Sequence, residues 1–152
     1  MHPRDEGSFV DLAATDGQPL ILCGHSMGAN ILVDLLWDKG VVDFIEGKLG
    51  HPLKIDLLYS VGTQLGLMEE WGIFANDAAI KPRQKPATVH AWWHMYDPHD
   101  VLAFRADPVI SGVMEYSESI GQSVILTHGY YFVTPLFLGR LRQRLSRAGL
   151  LR

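Results

Sequence analysis

The sequence predicts an α/β fold in which a mainly parallel sheet is covered by helices on both faces. Two observations support this prediction. Apolar runs of strand length alternate along the chain with segments of helical periodicity. Within the apolar runs, apolar and polar residues do not alternate as they do in a sheet with one solvent-exposed face. The 152 residues suit one domain, 1–152, and a composition of 47% hydrophobic and 20% charged residues argues against disorder.

The first part of the chain reads as a strand, a sharp turn and a helix. Phe9–Ala14 is predicted to be the end of a helix that Asp16-Gly17 stops, and Pro19–Cys23 is predicted to be the first strand. A helix follows, Lys39-Gly40 is expected to close it, and a glycine-containing loop is expected up to Pro52. The apolar residues of this helix recur at helical spacing: Ile31, Leu32, Leu35 and Leu36.

The middle of the chain is predicted to hold two further strands. Leu53–Val61 reads as a buried apolar strand, and Ala87–Tyr96 is predicted to be the next strand. Between them, Gly62–Pro86 is expected to be mostly loop, with a short helical turn near Leu67–Trp71. Its Lys81–Pro86 stretch reads as a solvated connection and not as a basic binding site.

The last third of the chain continues the same alternation. The turn Asp97–Asp100 follows the third strand, and a short helical piece is expected near Ala103–Arg105. Val113–Ser117 is predicted to be a fourth strand, and Ser123–Leu126 a short extended run. The last helix is predicted over Tyr131–Ala148, with a cationic C-terminal end that suits the helix dipole.

One short motif carries the strongest chemical signal. Gly24-His25-Ser26-Met27-Gly28 follows the first strand directly and opens a helix, which is the setting of the nucleophile elbow of serine hydrolases. Such a turn holds the serine hydroxyl out of the backbone, within reach of a base. Gly24 and Gly28 are expected to remove Cβ atoms that would collide there. The turn also points the backbone N–H of Met27 at the place where an oxyanion would form.

Two loops downstream of the motif offer an acid and a base. In a parallel sheet such groups lie in loops at the carboxyl ends of the strands. The loop after Ala87–Tyr96 contains Asp97 and Asp100, and a loop near the C-terminus contains His128. The order serine, aspartate, histidine is the order found in the α/β-hydrolases.

Over about Pro19–Gly139 the chain resembles the C-terminal part of an α/β-hydrolase of the lipase and esterase type. The elbow, with a His before and a Met after its serine, carries most of the resemblance. Three later segments are also similar to that superfamily: Ser60–Gly66, Trp93–Phe104 and His128–Phe132. The resemblance implies an acyl hydrolase that needs no cofactor, with a nucleophile, an acid, a base and an oxyanion donor at Ser26, Asp100, His128 and the N–H of Met27 respectively.

Asp100 is preferred to Asp97 as the acid. The apolar pair Val101-Leu102 follows Asp100, as in the acid-bearing loop of the superfamily, whereas Asp97-Pro98 is typical of a turn. Asp97 remains the alternative.

The chain departs from the superfamily at its N-terminal end. A complete α/β-hydrolase has several strands before the elbow, but here the elbow strand begins near residue 19. The sheet is therefore expected to have an exposed edge beside that strand, and the loop that usually supplies a second oxyanion donor has no counterpart. Three explanations stay open: a longer native protein with an additional N-terminal segment, self-association, and a minimal fold that manages without the missing half.

Other candidate residues have simpler interpretations. His90 and His94 lie about 13 Å apart on a strand, too far to share one ion, and a metal site of His94, Asp97 and His99 is not expected. Cys23 is expected to be a small packed thiol on a buried strand. Trp92 and Trp93 should point to opposite faces of the sheet and both enter the core. Three residues suit either an acyl pocket or half-buried packing: Met68, Trp71 and Phe74.

The composition narrows the function further. A net charge of −4 gives no basic footprint for nucleic acid, and no apolar stretch approaches the roughly 20 residues of a membrane span. With one cysteine and no secretory signal, a cytoplasmic location is the expectation. The expected partner is a small-molecule acyl ester or lipid. The alternative is a truncated, catalytically weak or inactive hydrolase fragment that acts as a binding module.

Overall fold

The computed structural model of the protein describes residues 18–74, 81–121 and 126–151. Its strands are β1 (Ile21–His25), β2 (Ile55–Val61), β3 (Arg83–Gln84), β4 (Val89–Tyr96), β5 (Ile110–Ser111) and β6 (Val113–Ser117). The main sheet has the order β1-β2-β4-β6, and all its strands run parallel. The parallel α/β architecture is thus confirmed. The predicted helix at Phe9–Ala14 lies outside the described residues, as does all of Ser123–Leu126 except Leu126.

Helices follow most of the strands. They are α1 (Ser26–Trp37), α2 (Lys39–Leu49), α3 (Leu65–Glu70), α4 (Thr127–Tyr130) and α5 (Pro135–Arg147), with one 3₁₀ turn at Tyr131–Val133. None of the helices in the described ranges is both long and apolar enough to cross a membrane.

The sheet carries a hydrophobic core on each face. One core joins buried residues of β2 and β4 to helices α1 and α3, with α2 packed at its border, and Trp92 lies in it. The other core joins the opposite side chains of β2 and β4 to the 3₁₀ turn and α5, and Trp93 lies in that one. The prediction that the two tryptophans enter opposite cores is therefore confirmed, and helices cover both faces.

Three local predictions are wrong. A helix, α2, begins where a loop was expected after Lys39-Gly40, because the Asp38 side chain accepts hydrogen bonds from the N–H groups of Gly40 and Val41 and caps it. Ala103–Arg105 forms no helical turn, since the N–H of Phe104 bonds to the carbonyl of Thr63 instead. The last helix begins at Pro135, after two shorter turns.

The Lys81–Pro86 connection is also more ordered than expected. Its β3 residues pair with β5 in a second, two-stranded sheet. Arg83 is buried, and its Nε donates to Glu69 Oε2 at 2.7 Å. Its guanidinium lies 4.3 Å from the ring centre of Trp37. The basic residue thus serves as an internal link between α3, β3 and α1.

Within the described part of the chain, β1 is an edge strand that pairs with β2 alone. Cys23 on this strand is exposed, so the expected burial of its thiol is wrong. Beside β1 lies an apolar cavity of about 730 Å³, lined by residues of β1, α1 and α2 that include Leu22, Leu35 and Ile45. The exposed edge expected beside the elbow strand is present in the described residues.

Candidate active site

The turn between β1 and α1 has the geometry of a nucleophile elbow. β1 ends at His25 and α1 begins at Ser26, with no residue between them. Ser26 has a φ of 52°, a left-handed conformation that a residue with a side chain adopts only at a cost. A Cβ on Gly24 would lie 2.8 Å from both Cα and Cβ of Ala29, so the tight turn requires glycine there.

Gly28 has a different environment from the one expected. A Cβ at Gly28 would meet no atom of the described chain within 4 Å, other than its neighbours and its own helix. The predicted collision at this position is therefore wrong, because Gly28 already lies inside α1 on its exposed side.

The structure brings Ser26, Asp100 and His128 together. His128 Nε2 lies 2.7 Å from Ser26 Oγ, and His128 Nδ1 lies 2.7 Å from Asp100 Oδ2. Ser26 follows β1, Asp100 follows β4, and His128 lies in α4 beyond β6. Because parallel strands end at one edge of the sheet, residues 102 positions apart in sequence meet there. The predicted convergence of the three side chains is confirmed.

Asp97 does not compete with Asp100 for the imidazole of His128. Its Oδ1 accepts from the backbone N–H of His99 at 2.8 Å and lies 3.0 Å from His99 Nδ1. Its Oδ2 accepts from the N–H of Ile120 at 2.6 Å. Both oxygens are occupied in closing the turn, as the turn-forming interpretation of Asp97-Pro98 predicts. The geometry favours Asp100 as the acid.

The carboxylate of Asp100 is buried and held by three donors. Oδ1 accepts from the N–H of Leu102 at 2.9 Å, and Oδ2 accepts from the hydroxyl of Tyr131 at 2.8 Å as well as from His128. These three hydrogen bonds fix the orientation of the carboxylate. Tyr131 is a site residue that the sequence does not predict, because its contact with Asp100 joins positions 31 residues apart.

His25 packs against the candidate base. Its ring centre lies 4.9 Å from that of His128 and 5.8 Å from that of Phe132. Burial, followed by the nearby His128, lowers the pKa of His25. A neutral ring beside His128 avoids repulsion when that imidazole becomes charged. His25 Nε2 is buried without a hydrogen-bond partner among the described residues.

Met27 lies in the first turn of α1, where backbone N–H groups have no acceptor inside the helix. The N-terminal end of a helix also carries a partial positive charge. The Met27 N–H is therefore suited to an oxyanion next to Ser26. The side chain of Met27 is 52% exposed.

Exposed apolar side chains flank the triad. Met27 follows Ser26 and the pair Val101 and Leu102 follows Asp100 along the chain, while the ring centre of Phe132 lies 5.8 Å from that of His25, which contacts His128. Their exposed fractions are 52%, 66%, 51% and 36% respectively. Isolated exposed apolar residues are ordinary, but each of these four either follows a triad residue closely in sequence or is linked to one through the ring of His25. We call these four residues the apolar rim.

The other candidate residues of the middle segment serve packing. Phe74 is buried, and its ring meets Trp37 edge to face at 5.1 Å. Met68 is partly buried against the same core, while Trp71 is 69% exposed. For Phe74 and Met68 the structure therefore favours packing over an acyl pocket.

A second serine–histidine pair lies inside the sheet. Ser60 Oγ is 2.8 Å from His94 Nδ1, and both residues are fully buried. No group of three or more histidine, cysteine or carboxylate side chains within residues 18–74, 81–121 and 126–151 is arranged to hold a metal ion. His94 and Asp97, two of the three residues considered for a metal, are instead hydrogen-bonded separately within the protein.

Comparison with family models, curated proteins and solved structures finds no match for this chain. Any function must therefore be inferred from the geometry described above.

Proposed function

We propose that the protein is a serine hydrolase that cleaves acyl substrates through Ser26, His128 and Asp100, built on the C-terminal part of an α/β-hydrolase fold. One observation carries the proposal. His128 lies 2.7 Å from both the Ser26 hydroxyl and the Asp100 carboxylate, and the serine has the left-handed backbone of an elbow. A positioned nucleophile, base and acid are the parts that acyl transfer requires.

The reaction follows from the hydrogen bonds. Asp100 accepts a hydrogen bond from the Nδ1–H of His128. Nε2 is therefore free to take the proton of Ser26 as Oγ attacks the carbonyl carbon. The carbonyl oxygen becomes an oxyanion beside the Met27 N–H. The tetrahedral intermediate expels the alcohol, which receives the proton from His128, and an acyl-serine remains. Water then attacks the acyl carbon while His128 takes its proton, and His128 returns that proton to Ser26 Oγ as the C–Oγ bond breaks and the acid is released.

The apolar rim supports the substrate class. A free carboxylate or sugar would have to displace water from exposed Met27, Val101 and Leu102 without gaining polar contacts. An acyl chain buries apolar surface there, at about 25 cal/mol per Å². Carboxylic esters and lipid esters with an apolar acyl group are therefore the proposed substrates.

A fluorophosphonate probe tests the nucleophile. We expect the probe to label the wild-type protein and the label to lie on the peptide that contains Ser26. Ser26→Ala should abolish labelling. The second serine paired with a histidine, Ser60, should stay unlabelled because it is fully buried. Equal labelling of wild type and Ser26→Ala, or no labelling of a folded wild type, would overturn the proposal; the latter would favour an inactive binding module.

A matched pair of variants tests the acid. Asp100→Asn should lower the labelling rate by a factor of about 10³–10⁴, because the neutral amide no longer holds the imidazole in the productive tautomer. Asp97→Asn changes the same functional group in the same loop, but that carboxylate has no contact with His128. A larger loss in Asp97→Asn than in Asp100→Asn would reverse the assignment.

A further inference from the structure

Tyr131 lies behind the triad, on the side of Asp100 away from solvent. It is fully buried and begins the 3₁₀ turn that follows α4, the helix that carries His128. Its hydroxyl lies 2.8 Å from Asp100 Oδ2, the same oxygen that His128 Nδ1 contacts. Tyr131 therefore contacts the acid but lies out of reach of a substrate at Ser26.

The direction of this hydrogen bond follows from the neighbouring donor. The backbone N–H of Asp97 points at the Tyr131 oxygen at 3.0 Å, and an N–H can only donate. The hydroxyl oxygen thus accepts from Asp97, and its single proton is free for Asp100 Oδ2. Burial, the largest cause, raises the pKa of Tyr131. The hydrogen bond from the Asp97 N–H lowers this pKa, whereas Asp100 and the charge of Asp97 raise it, so the net change is upward and the hydroxyl keeps that proton.

The aromatic ring is fixed as well as the hydroxyl. Gly62, at the end of β2, has a φ of 56°, and a Cβ there would lie 2.6 Å from Tyr131 Cε2. On other sides the ring meets His25, His128 and Phe137 at 5.7, 6.4 and 6.4 Å between ring centres. Four separate elements therefore hold the ring in place, and its hydroxyl cannot shift without moving them.

We propose that Tyr131 is a positioning residue of the triad, whose hydroxyl fixes the Asp100 carboxylate and through it the orientation of His128. The inference rests on the proposed hydrolase function. With Tyr131 in place, Asp100 has one oxygen bound to the Leu102 N–H and the other bound to two donors, so it cannot rotate. Without the hydroxyl, Oδ2 is held by His128 alone. The Asp100 carboxylate and the His128 imidazole can then change their orientation together.

Tyr131→Phe removes the hydroxyl and keeps the ring. We expect kcat for a chromogenic ester to fall about tenfold or more, the usual effect of losing a hydrogen bond to a charged group, with KM unchanged. Tyr130→Phe is the matched control, because Tyr130 is the adjacent tyrosine and 39% exposed. 3-Fluorotyrosine in place of Tyr131 retains the donor and should restore kcat.

A measurement that needs no turnover separates this proposal from the proposed function. The proton on His128 Nδ1 should give a downfield NMR resonance in the wild type and in Tyr130→Phe. The resonance should broaden or vanish in Tyr131→Phe and return with 3-fluorotyrosine. An unchanged resonance in folded Tyr131→Phe would overturn the inference. An unchanged kcat in Tyr131→Phe would also overturn it, provided that the activity of the wild type depends on Ser26. Absence of probe labelling, with these resonance changes present, would refute the hydrolase function and support the positioning contact.

Discussion

Protonation of His94 should control the stability of this fold at mildly acidic pH. His94 lies on β4, fully buried, and each of its bonds fits a neutral ring. Trp92 Nε1 donates to Ser60 Oγ at 2.8 Å, which directs the serine proton to His94 Nδ1 at 2.8 Å. His94 Nε2 is left to donate to the carbonyl of Phe104 at 3.2 Å. A second proton on the ring would leave two donors facing each other.

The magnitude follows from the pKa. Burial lowers the pKa of His94 from 6.5 to about 4. Between these values the unfolded chain binds a proton that the folded protein does not, so stability falls as pH falls through this window. Since each pKa unit corresponds to about 1.36 kcal/mol, the loss between pH 7 and pH 4 reaches about 3 kcal/mol. That is a large part of the stability of an ordinary domain.

Glu115 acts in the opposite direction. Its Oε1 lies 3.7 Å from His94 Nε2, and burial raises the pKa of its carboxyl to about 7. The folded protein then keeps a proton that the unfolded chain loses, so this group lowers stability as pH rises through the same window. The stability of the wild type alone would show only the sum of the opposite pH dependences of His94 and Glu115. A variant is therefore needed to separate them.

Urea unfolding of wild type and His94→Gln from pH 4.5 to 7.5 provides the assay. Both proteins keep Glu115, so its trend largely cancels in the comparison. The free energy of unfolding of wild type relative to the variant should fall by about 2–3 kcal/mol toward pH 4.5. His90→Gln, at the exposed start of the same strand, should follow wild type at every pH. A difference between wild type and His94→Gln that stays constant with pH would refute the reasoning.

Three further substitutions should lower stability, each measured by urea unfolding. Gly24→Ala puts a Cβ 2.8 Å from the first turn of α1 and should cost about 1–3 kcal/mol together with loss of probe labelling; unchanged labelling would contradict the elbow geometry. Gly62→Ala places a side chain at positive φ, which should lower the free energy of unfolding by about 1–2 kcal/mol. The new side chain also lies against Tyr131, so the probe should label the folded variant more slowly than the folded wild type. Glu69→Gln removes the charge that compensates buried Arg83 and should cost about 3–5 kcal/mol; a loss below 1 kcal/mol would show that the pair contributes little.

The sequence was sufficient for the sheet and the triad because both depend on local patterns with strong physical constraints. A buried parallel strand needs a continuous apolar run, and the predicted run Leu53–Val61 contains the buried strand Ile55–Val61. An elbow needs Gly-x-Ser-x-Gly after a strand, and the ends of parallel strands meet at one edge. The choice of Asp100 and His128 as the partners of Ser26 depended in addition on the resemblance to the α/β-hydrolases, and the sequence left Asp97 as an alternative acid.

The missed features depend on contacts between distant segments. The helix α2 is half exposed, with no fully buried residue, so its apolar pattern is weak and its capping by Asp38 was the only clear signal. Arg83 appeared to be a solvated charge because its partners, Glu69 and Trp37, are 14 and 46 positions away. The sequence predicts a helix that begins at Tyr131, but nothing in a single sequence shows that the hydroxyl of this residue meets Asp100.

The place of β1 in the sheet has a consequence for the lifetime of the assembled site. Its described backbone is held by β2 on one side, whereas β2 and β4 are held on both sides and keep Asp100 in register. Local opening of β1 therefore needs less free energy than global unfolding, and its amide hydrogens should exchange with solvent earlier than those of β2. Each opening separates Ser26 from an otherwise intact acid and base. A ligand attached to Ser26 binds only the closed form, so it slows exchange in β1 before it changes the melting temperature of the rest of the sheet.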